Sequence, residues 1–334
     1  MNILRDISLK PFNTFGIDMP AACFVELEDM HQLLELSDTD RPRHILGGGS
    51  NILLTAPVTG LVIRNRLTGI TQVHEDNDHV WLKVNSGEIW HNFVLFAINE
   101  NLGGVENLAL IPGTVGAAPI QNIGAYGVEA KETIACVTFW HWEDRKFISY
   151  NTGQCRFGYR DSIFKHELKD KVFITSVVFK LKKKPVFNTS YGAIEQELQK
   201  KGIKELSVKA IAAAVISIRT GKLPDPHIIG NAGSFFKNPT IPVSYYNELK
   251  AAHPLIPSYP VSSDLVKVPA GWLIEQCGWK GYRNGDAGVH ALQALVLVNY
   301  GHAGGNDIWQ LSVQIVDSVK NKFGIDLERE VQVW

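Results

Sequence analysis

From Leu108 to Val128 the chain carries no charged side chain, yet it places glycine at 113, 116, 124 and 127 and proline at 112 and 119. An ordinary solvent loop is not built this way. Backbone N–H and C=O groups that lack partners are costly to bury, so such a segment must be held against other protein or against a ligand. Small, uncharged and stiffened by proline, it suits close backbone approach to a large planar ligand, with Gln121, Asn122 and backbone amides left to hydrogen-bond a polar edge. The bland alternative is a crossover buried in a core.

The chain is 334 residues long and 45% hydrophobic, enough for about two domains, each with its own core. Lys and Arg total 33 against 34 for Asp and Glu, so no basic field exists for a nucleic-acid backbone, and nucleic acid is not an expected partner. Cys23, Cys136, Cys155 and Cys277 form no C-x-x-C pair, which argues against a zinc site and a disulfide framework. None of the eleven histidines shares metal-ligand spacing with another, so no metal site is expected. The first ten residues lack a signal-peptide core, and no apolar run approaches the ~20 residues of a membrane span. A soluble cytoplasmic protein, neither in the membrane nor secreted, is expected.

Periodicity gives the first half as α+β with much sheet. His44–Leu46 reads as a strand running into the glycine loop Gly47-Gly48-Gly49-Ser50-Asn51, followed by the apolar Ile52–Leu54. After a strand at Val80–Val84, apolar residues at 90, 93, 94, 97 and 98 fall at helical spacing, with Gly103-Gly104 as the stop. Ile134–Trp142 and Phe147–Tyr150 form a hairpin, and Val172–Leu181 is a further strand. Lys182-Lys183-Lys184-Pro185 marks a break. The expected division is 1–184 for the first domain in two lobes split near 66, 185–206 for a linker or insertion, and 207–334 for a C-terminal α/β domain. Within the last, Ser207 caps a helix over 208–218, a second helix runs from Asp307 to Phe323, and Gly324 ends it. A closing strand then puts Ile325, Leu327, Val331 and Val333 on one face and Asp326, Glu328 and Glu330 on the other.

Several of these segments can carry chemistry. The Gly47 to Asn51 loop can present backbone N–H groups to a phosphate, although it lacks both the P-loop ending and the G-x-G-x-x-G spacing, and a plain turn is the simpler reading. A flavin would suit both loops, its pyrophosphate on Gly47 to Asn51 and its rings on the uncharged segment. Gly158-Tyr159-Arg160-Asp161-Ser162 places a forked cation where it can grip a carboxylate at two points, or pair with Asp161 at the surface. Lys222 lies in the rigid basic stretch Arg219 to Pro226, suitable for phosphates or for a solvated turn. In Gly230-Asn-Ala-Gly-Ser-Phe-Phe-Lys-Asn-Pro239, Ser234 is followed by two phenylalanines and so is no hydrolase nucleophile elbow. A proton donor fits better.

Taken in order, Asn13 to Ile17, Gly47 to Asn51, Ile111 to Gly116, Asn122 to Gly127, Tyr159 to Ser162, Lys222 to Pro226, Gly230 to Pro239 and Ala270 to Ile274 resemble the UDP-N-acetylenolpyruvoylglucosamine reductase family. The resemblance runs from about Leu9 onward. It implies an FAD-binding domain of the vanillyl-alcohol-oxidase (PCMH) type in two α+β lobes, then an α/β substrate domain. It also implies non-covalent FAD reduced by NADPH, and reduction of the enolpyruvyl nucleotide sugar to UDP-N-acetylmuramate for peptidoglycan by a monomeric enzyme. Flavin contacts are implied for Gly47, Gly48, Gly49, Ser50, Asn51, Ile111, Pro112, Gly113, Thr114, Gly116, Gln121, Asn122, Gly124, Ala125, Tyr126 and Gly127. Substrate contacts are implied for Tyr126, Tyr159, Tyr191, Lys222, Asn238 and Gln293, with Tyr191 in the insertion that marks the tyrosine-loop subgroup.

Ser234 matches the family's proton donor, and Arg160 and Glu330 match the pair that stabilises the enolate. A serine is a weak acid in water, but an enolate carbon is a strong base, so a well-placed hydroxyl suffices. Arg160 can hold the carboxylate as its charge grows. Glu330 would repel an enolate unless protonated, so it is expected either to carry a raised pKa or to act through Ser234 and water. Strand alternation does not separate it from Glu328.

Overall fold

The computed structural model describes residues 2–189 and 192–334. By contacts the chain divides into two compact units. The first takes residues up to Ile7, Ala21–Gly48 and Thr59–Gly221; the second takes Ser8–Pro20, Gly49–Val58 and Lys222–Trp334. The glycine loop is therefore one of the places where the chain passes from one unit to the other.

The first unit begins with β1 (Leu4–Ser8), β2 (Pro20–Leu27), α1 (Gln32–Ser37) and β3 (Arg43–Leu46). After β4 (Ile52–Leu53), which belongs to the second unit, it continues with β5 (Val58–Asn65), β6 (Ile70–Glu75), β7 (His79–Asn85) and α2 (Trp90–Asn99). The short hairpin β8 (Gly124–Ala125) and β9 (Val128–Glu129) follows, then β10 (Ile134–His141), β11 (Lys146–Asn151), β12 (Val172–Lys182), α3 (Gly192–Lys200) and α4 (Val208–Lys222).

Two sheets organise this unit. One has the order β1-β2-β5-β3, with β3 and β5 parallel. The other is antiparallel, in the order β11-β10-β12-β7-β6. The helical spacing at residues 90–98 has the expected result: Trp90, Phe93, Val94, Ala97 and Ile98 are all buried, and the rings of Trp90 and Phe93 pack on Phe179 of β12 at 5.7 and 4.5 Å. Each such large side chain contributes about 1.5–3 kcal/mol by leaving water. The Ser207 hydroxyl accepts from Ala210 N at 3.1 Å and caps α4, which runs on through Gly221 to Lys222 where a stop at 218 was expected. Ile194 and Leu198 of α3 and Val208, Ile211 and Val215 of α4 join the core built on the five-stranded sheet. The first unit consequently extends to Gly221, past the charged break at 182–185.

The second unit carries β13 (Gly230–Ser234), β14 (Thr240–Pro242), α5 (Val243–Ala252), β15 (Tyr259–Pro260), β16 (Leu265–Lys267) and α6 (Ala270–Gln276). Then come β17 (Arg283–Asn284), β18 (Ala287–Val289), β19 (Val296–Asn299), α7 (Gly305–Phe323) and β20 (Gln332–Val333). Its main sheet has the order β13-β19-β18-β17. Helix α7 buries Ile308, Leu311, Ile315, Val319 and Phe323 at helical spacing and stops at Gly324, whose φ of 62° is left-handed.

The chain end differs from the single closing strand expected. Ile325, Leu327 and Val331 are buried, but Val333 is 43% exposed, and only Gln332–Val333 is strand. The reason is a change of partner. Arg329 bridges Phe236, the backbone bends at Val331, and β20 then pairs in parallel with β4. A strand that swaps partners loses its two-residue alternation at the corner.

Candidate active site

In the first unit, the uncharged segment is built of backbone against backbone. Gly113 O accepts from Trp90 N at 3.0 Å, Val115 N donates to Glu88 O at 2.9 Å, and Gly116 N donates to Ser86 O at 2.8 Å. These bonds stitch the segment to the turn before α2. A Cβ added at Gly116 would lie 2.7 Å from Ser86 Cβ, and one at Gly48 would lie 3.0 Å from Gly113 Cα. Thr114 and Gly116 are buried, Ile111 and Gly113 half-buried, and Pro112 exposed. Leu110, Asn122, Tyr126 and Arg160 take left-handed φ values of 60°, 43°, 51° and 54°. Such conformations cost energy in non-glycine residues and gather where a site over-determines the backbone.

The hairpin β8–β9 turns through Tyr126 and Gly127, both at positive φ, the requirement of a type I′ turn. Arg160 Nη2 donates to Gly124 O at 2.7 Å, which ties the arginine to this hairpin, and its guanidinium lies 5.4 Å from the Tyr159 ring centroid. Asp161 binds His166 Nε2 at 2.8 Å. Ser162 is buried, and its hydroxyl donates to Ile120 O at 2.6 Å, fastening the Tyr159–Ser162 turn to the uncharged segment. Gln121, Ala125 and Tyr159 are half-buried in the same neighbourhood of the chain.

Asn122 was expected to offer its side chain to a ligand edge. Instead it is fully buried: Nδ2 donates to Glu129 Oε2 at 3.1 Å and to Gly158 O at 2.8 Å, while Oδ1 accepts from Lys131 N at 3.0 Å. Both its donors are spent on the protein. It shapes the loop from behind.

Arg219, in the last turn of α4, is the residue that sequence reasoning undervalued. It hydrogen-bonds the Tyr126 side chain, and burial pulls its guanidinium below the usual arginine range. Its Nε is buried with no hydrogen-bond partner among the described residues. Burial pushes the Tyr126 phenol up, opposed by Arg219, and draws His91 down, with the Arg219 charge acting in the same direction. His91 is held as an acceptor, Nδ1 taking a hydrogen bond from Leu110 N at 3.0 Å. The sequence signal for it is weak: Arg219 follows directly on the run Ala210–Ile218, in which Ser217 is the single polar side chain. Tyr191 lies outside the described residues; Asn188, just before it, donates to Gly127 O at 3.1 Å.

In the second unit, Gly49 has φ 62°, and a Cβ there would fall 1.9 Å from Phe12 O, so only glycine is accommodated. Ser50 and Asn51 follow, both half-buried, and Asn51 Nδ2 donates to Glu330 O at 3.2 Å. Ser234 ends β13 beyond an irregularity between Asn231 and Ser234, where Gly233 takes φ 68°. It is exposed, and its hydroxyl has no hydrogen-bond partner among the described residues. Phe235 and Phe236 behind it are buried, with Phe235 N donating to Leu295 O at 2.8 Å. The serine is thus an uncommitted hydroxyl on a rigid apolar footing.

Glu330 is half-buried, and its N donates to Phe235 O at 2.8 Å. Glu328 pairs with Lys237. The two carboxylates that alternation left equivalent are therefore distinguished, one committed to an ion pair and the other held by its backbone beside the serine segment. Asn238 Oδ1 accepts from Ala270 N at 2.9 Å, which fixes its amide. Gln293 is half-buried in the turn between β18 and β19, its backbone O accepting from Val296 N at 3.0 Å. Lys222 is exposed at the end of α4. A cavity of about 520 Å³ lined by Tyr282, Asp286 and His302 lies along β17 and β18, at the edge of the sheet opposite β13, and contains none of these residues.

A family model described as "FAD binding domain" matches residues 22–142. The chain is thus an FAD-binding oxidoreductase with α+β architecture. A second model, "UDP-N-acetylenolpyruvoylglucosamine reductase, C-terminal domain", matches residues 225–334. Relatives named UDP-N-acetylenolpyruvoylglucosamine reductase from Flavobacterium johnsoniae and Chromobacterium violaceum are 48% and 46% identical, covering 100% and 97% of both chains. The solved UDP-N-acetylenolpyruvylglucosamine reductase of Thermus caldophilus superposes with a TM-score of 0.69 at 27% identity, over 100% of this chain and 99% of that one. The chain belongs to the UDP-N-acetylenolpyruvoylglucosamine reductase family.

The residues present in the first unit fit FAD. Glycines stand where a side chain would close the backbone surface, and Arg219 keeps a buried Nε–H without an acceptor among the described residues. Gly47, Gly48, Ile111 to Thr114 and Gly116 are the backbone that would hold it. Among the described residues no helix is long and apolar enough to cross a membrane.

Proposed function

We propose that the chain reduces the enolpyruvyl group of UDP-N-acetylenolpyruvoylglucosamine to UDP-N-acetylmuramate, with NADPH as reductant, as a cytoplasmic monomer serving peptidoglycan synthesis. The observation that carries this reading is the exposed Ser234 hydroxyl, uncommitted and set on buried Phe235 and Phe236. FAD, when bound, would supply the hydride that originates on NADPH, and one carbon of the substrate's double bond would receive it. The electron pair of that bond becomes an enolate conjugated with the carboxylate. Ser234 Oγ–H gives its proton to the other carbon, and the serine regains one from solvent.

Arg160, oriented by Gly124 O, holds the substrate carboxylate with its guanidinium charge and planar fork. Glu330 takes part in quenching the enolate, through Ser234 and water or as a protonated carboxyl. Residues 1–184 supply the flavin contacts and 185–206 the insertion that carries Tyr191. From 207 onward the chain supplies the nucleotide-sugar contacts of Lys222, Asn238 and Gln293, while Tyr126 and Tyr159 complete that set.

The flavin is held without a covalent bond, because the loops assigned to it offer no histidine or cysteine tether. The purified protein is expected to be yellow, to bleach with NADPH under anaerobic conditions and to regain its colour on addition of the enolpyruvyl nucleotide. Acid precipitation should release all the colour to the supernatant. Failure to recolour with that substrate would remove the proposed activity, and colour retained in the pellet would remove the non-covalent assignment.

A further inference from the structure

Glu330 occupies a corner. The chain leaves its bridge at Phe236–Arg329, bends at Val331 and joins β4, so Glu330 lies between two partner strands and in neither. Two hydrogen bonds hold its backbone, from Glu330 N to Phe235 O at 2.8 Å and from Asn51 Nδ2 to Glu330 O at 3.2 Å. Neither fixes the bend at Val331 that follows them.

The two preceding side chains anchor very differently. Glu328 reaches Lys237, but its side chain is 70% exposed, and an ion pair of that kind is worth little in water. Arg329 instead lies over the face of Trp309 on α7, its guanidinium carbon 4.2 Å from the ring centroid. Its Nε donates to Ser312 Oγ at 2.8 Å. Ser312 is fully buried and donates its own hydrogen to Trp309 O at 2.7 Å, so its hydroxyl is turned to receive the arginine. A planar cation stacked on one side and hydrogen-bonded at its edge has little freedom left.

We propose that Arg329 is a positioning residue for Glu330: clamped to Trp309 and Ser312, it fixes the corner from which the Glu330 carboxyl serves the reaction. The inference rests on the reading of Glu330 as a participant in enolate quenching. A reacting group displaced by ~1 Å costs on the order of 10²-fold in rate, so a clamp on the neighbouring residue has a kinetic signature as well as a structural one.

The test uses the full-length flavin-loaded protein and four variants: Arg329→Met, Arg329→Lys, Ser312→Ala and Glu330→Gln. Arg329→Met is expected to bleach with NADPH at the parent rate and to keep the parent KM for the enolpyruvyl nucleotide. Its rate of recolouring should fall by up to about 10²-fold. Hydrogen exchange at the Glu330 amide should quicken in the same variant, Ser312→Ala should show a weaker form of both effects, and Arg329→Lys should restore part of the rate. In a Glu330→Gln background, Arg329→Met should add little further loss. Recolouring at the parent rate with unchanged exchange at the Glu330 amide would overturn the proposal, as would equal slowing of both half-reactions together with a lowered Tm. Should Arg329→Met fail to fold, Ser312→Ala, which removes one hydroxyl, decides by the same readings. If Glu330→Gln itself turns over like the parent, the role of Glu330 is lost, and amide exchange alone then decides whether the clamp exists.

Discussion

The uncharged segment of the first unit and the serine segment of the second solve the same problem by opposite means. Between Ile111 and Gly127 the shaping groups are main-chain: glycines that admit no side chain, left-handed residues, and backbone bonds to the turn before α2. Even the conspicuous polar side chain there, Asn122, is turned inward to hold Gly158 and Lys131. From Gly230 to Pro239 and along Leu327 to Val331 the shaping groups are side chains: Phe235 and Phe236 as footing, Asn51 on Glu330, and Arg329 on Trp309 and Ser312. A surface meant to lie flat against a planar group tolerates no projecting atoms. A surface meant to deliver one proton needs one projecting atom held still. The difference predicts which kind of substitution each region resists.

The largest effect outside the serine is expected at Arg160, where the two styles meet in one residue. Arg160→Lys keeps the charge but loses the fork and the Nη2 bond to Gly124 O. A charge-assisted hydrogen bond is worth about 1.5–3 kcal/mol, so recolouring by substrate should slow by roughly 10- to 10²-fold with bleaching little changed. A variant that recolours at the parent rate would show that the carboxylate is held elsewhere.

Next in size is a purely steric insult to the backbone-built surface. Gly116→Ala puts a methyl 2.7 Å from Ser86 Cβ, and overpacking of that order costs about 1–3 kcal/mol. The expected outcome is a lowered Tm and a reduced flavin content after gel filtration. Full flavin retention with an unchanged Tm would mean that this loop has slack, and the contrast between the regions would fade.

The smallest effect belongs to Glu328, which sequence alternation could not tell from Glu330. With its side chain 70% exposed, Glu328→Ala should change stability by less than ~1 kcal/mol and leave both half-reactions intact. A kinetic loss comparable to that of Glu330→Gln would mean that the wrong carboxylate has been assigned.

What could be read from the sequence follows the range of the forces involved. Helix α2, the capped start of α4, the stop of α7 at Gly324 and the β10–β11 hairpin are set by neighbours within a few residues, and their apolar spacing announces them. The serine and the glycine loop were visible because their chemistry is local. Three features were not. That α3 and α4 complete the first unit's core depends on their joining one cluster with side chains as distant in sequence as Val80 and Leu82, which no window on the sequence contains. The partner change at Val331 depends on Phe236 and β4, and it is what defeats alternation at Glu328 and Glu330. Arg219 read as part of a solvated basic turn, because the Tyr126 that it meets lies 93 positions away.

Ser234 is the proposed proton donor, and rapid mixing of Ser234→Ala in the two half-reactions tests that role most directly. Hydride transfer from NADPH needs no proton from this residue, so bleaching should proceed at close to the parent rate. Recolouring by the enolpyruvyl nucleotide should slow by roughly the 10²–10⁴-fold that a lost general acid costs, and Ser234→Cys should recover part of it. Equal slowing of both half-reactions in Ser234→Ala, or recolouring at the parent rate, would contradict the assignment.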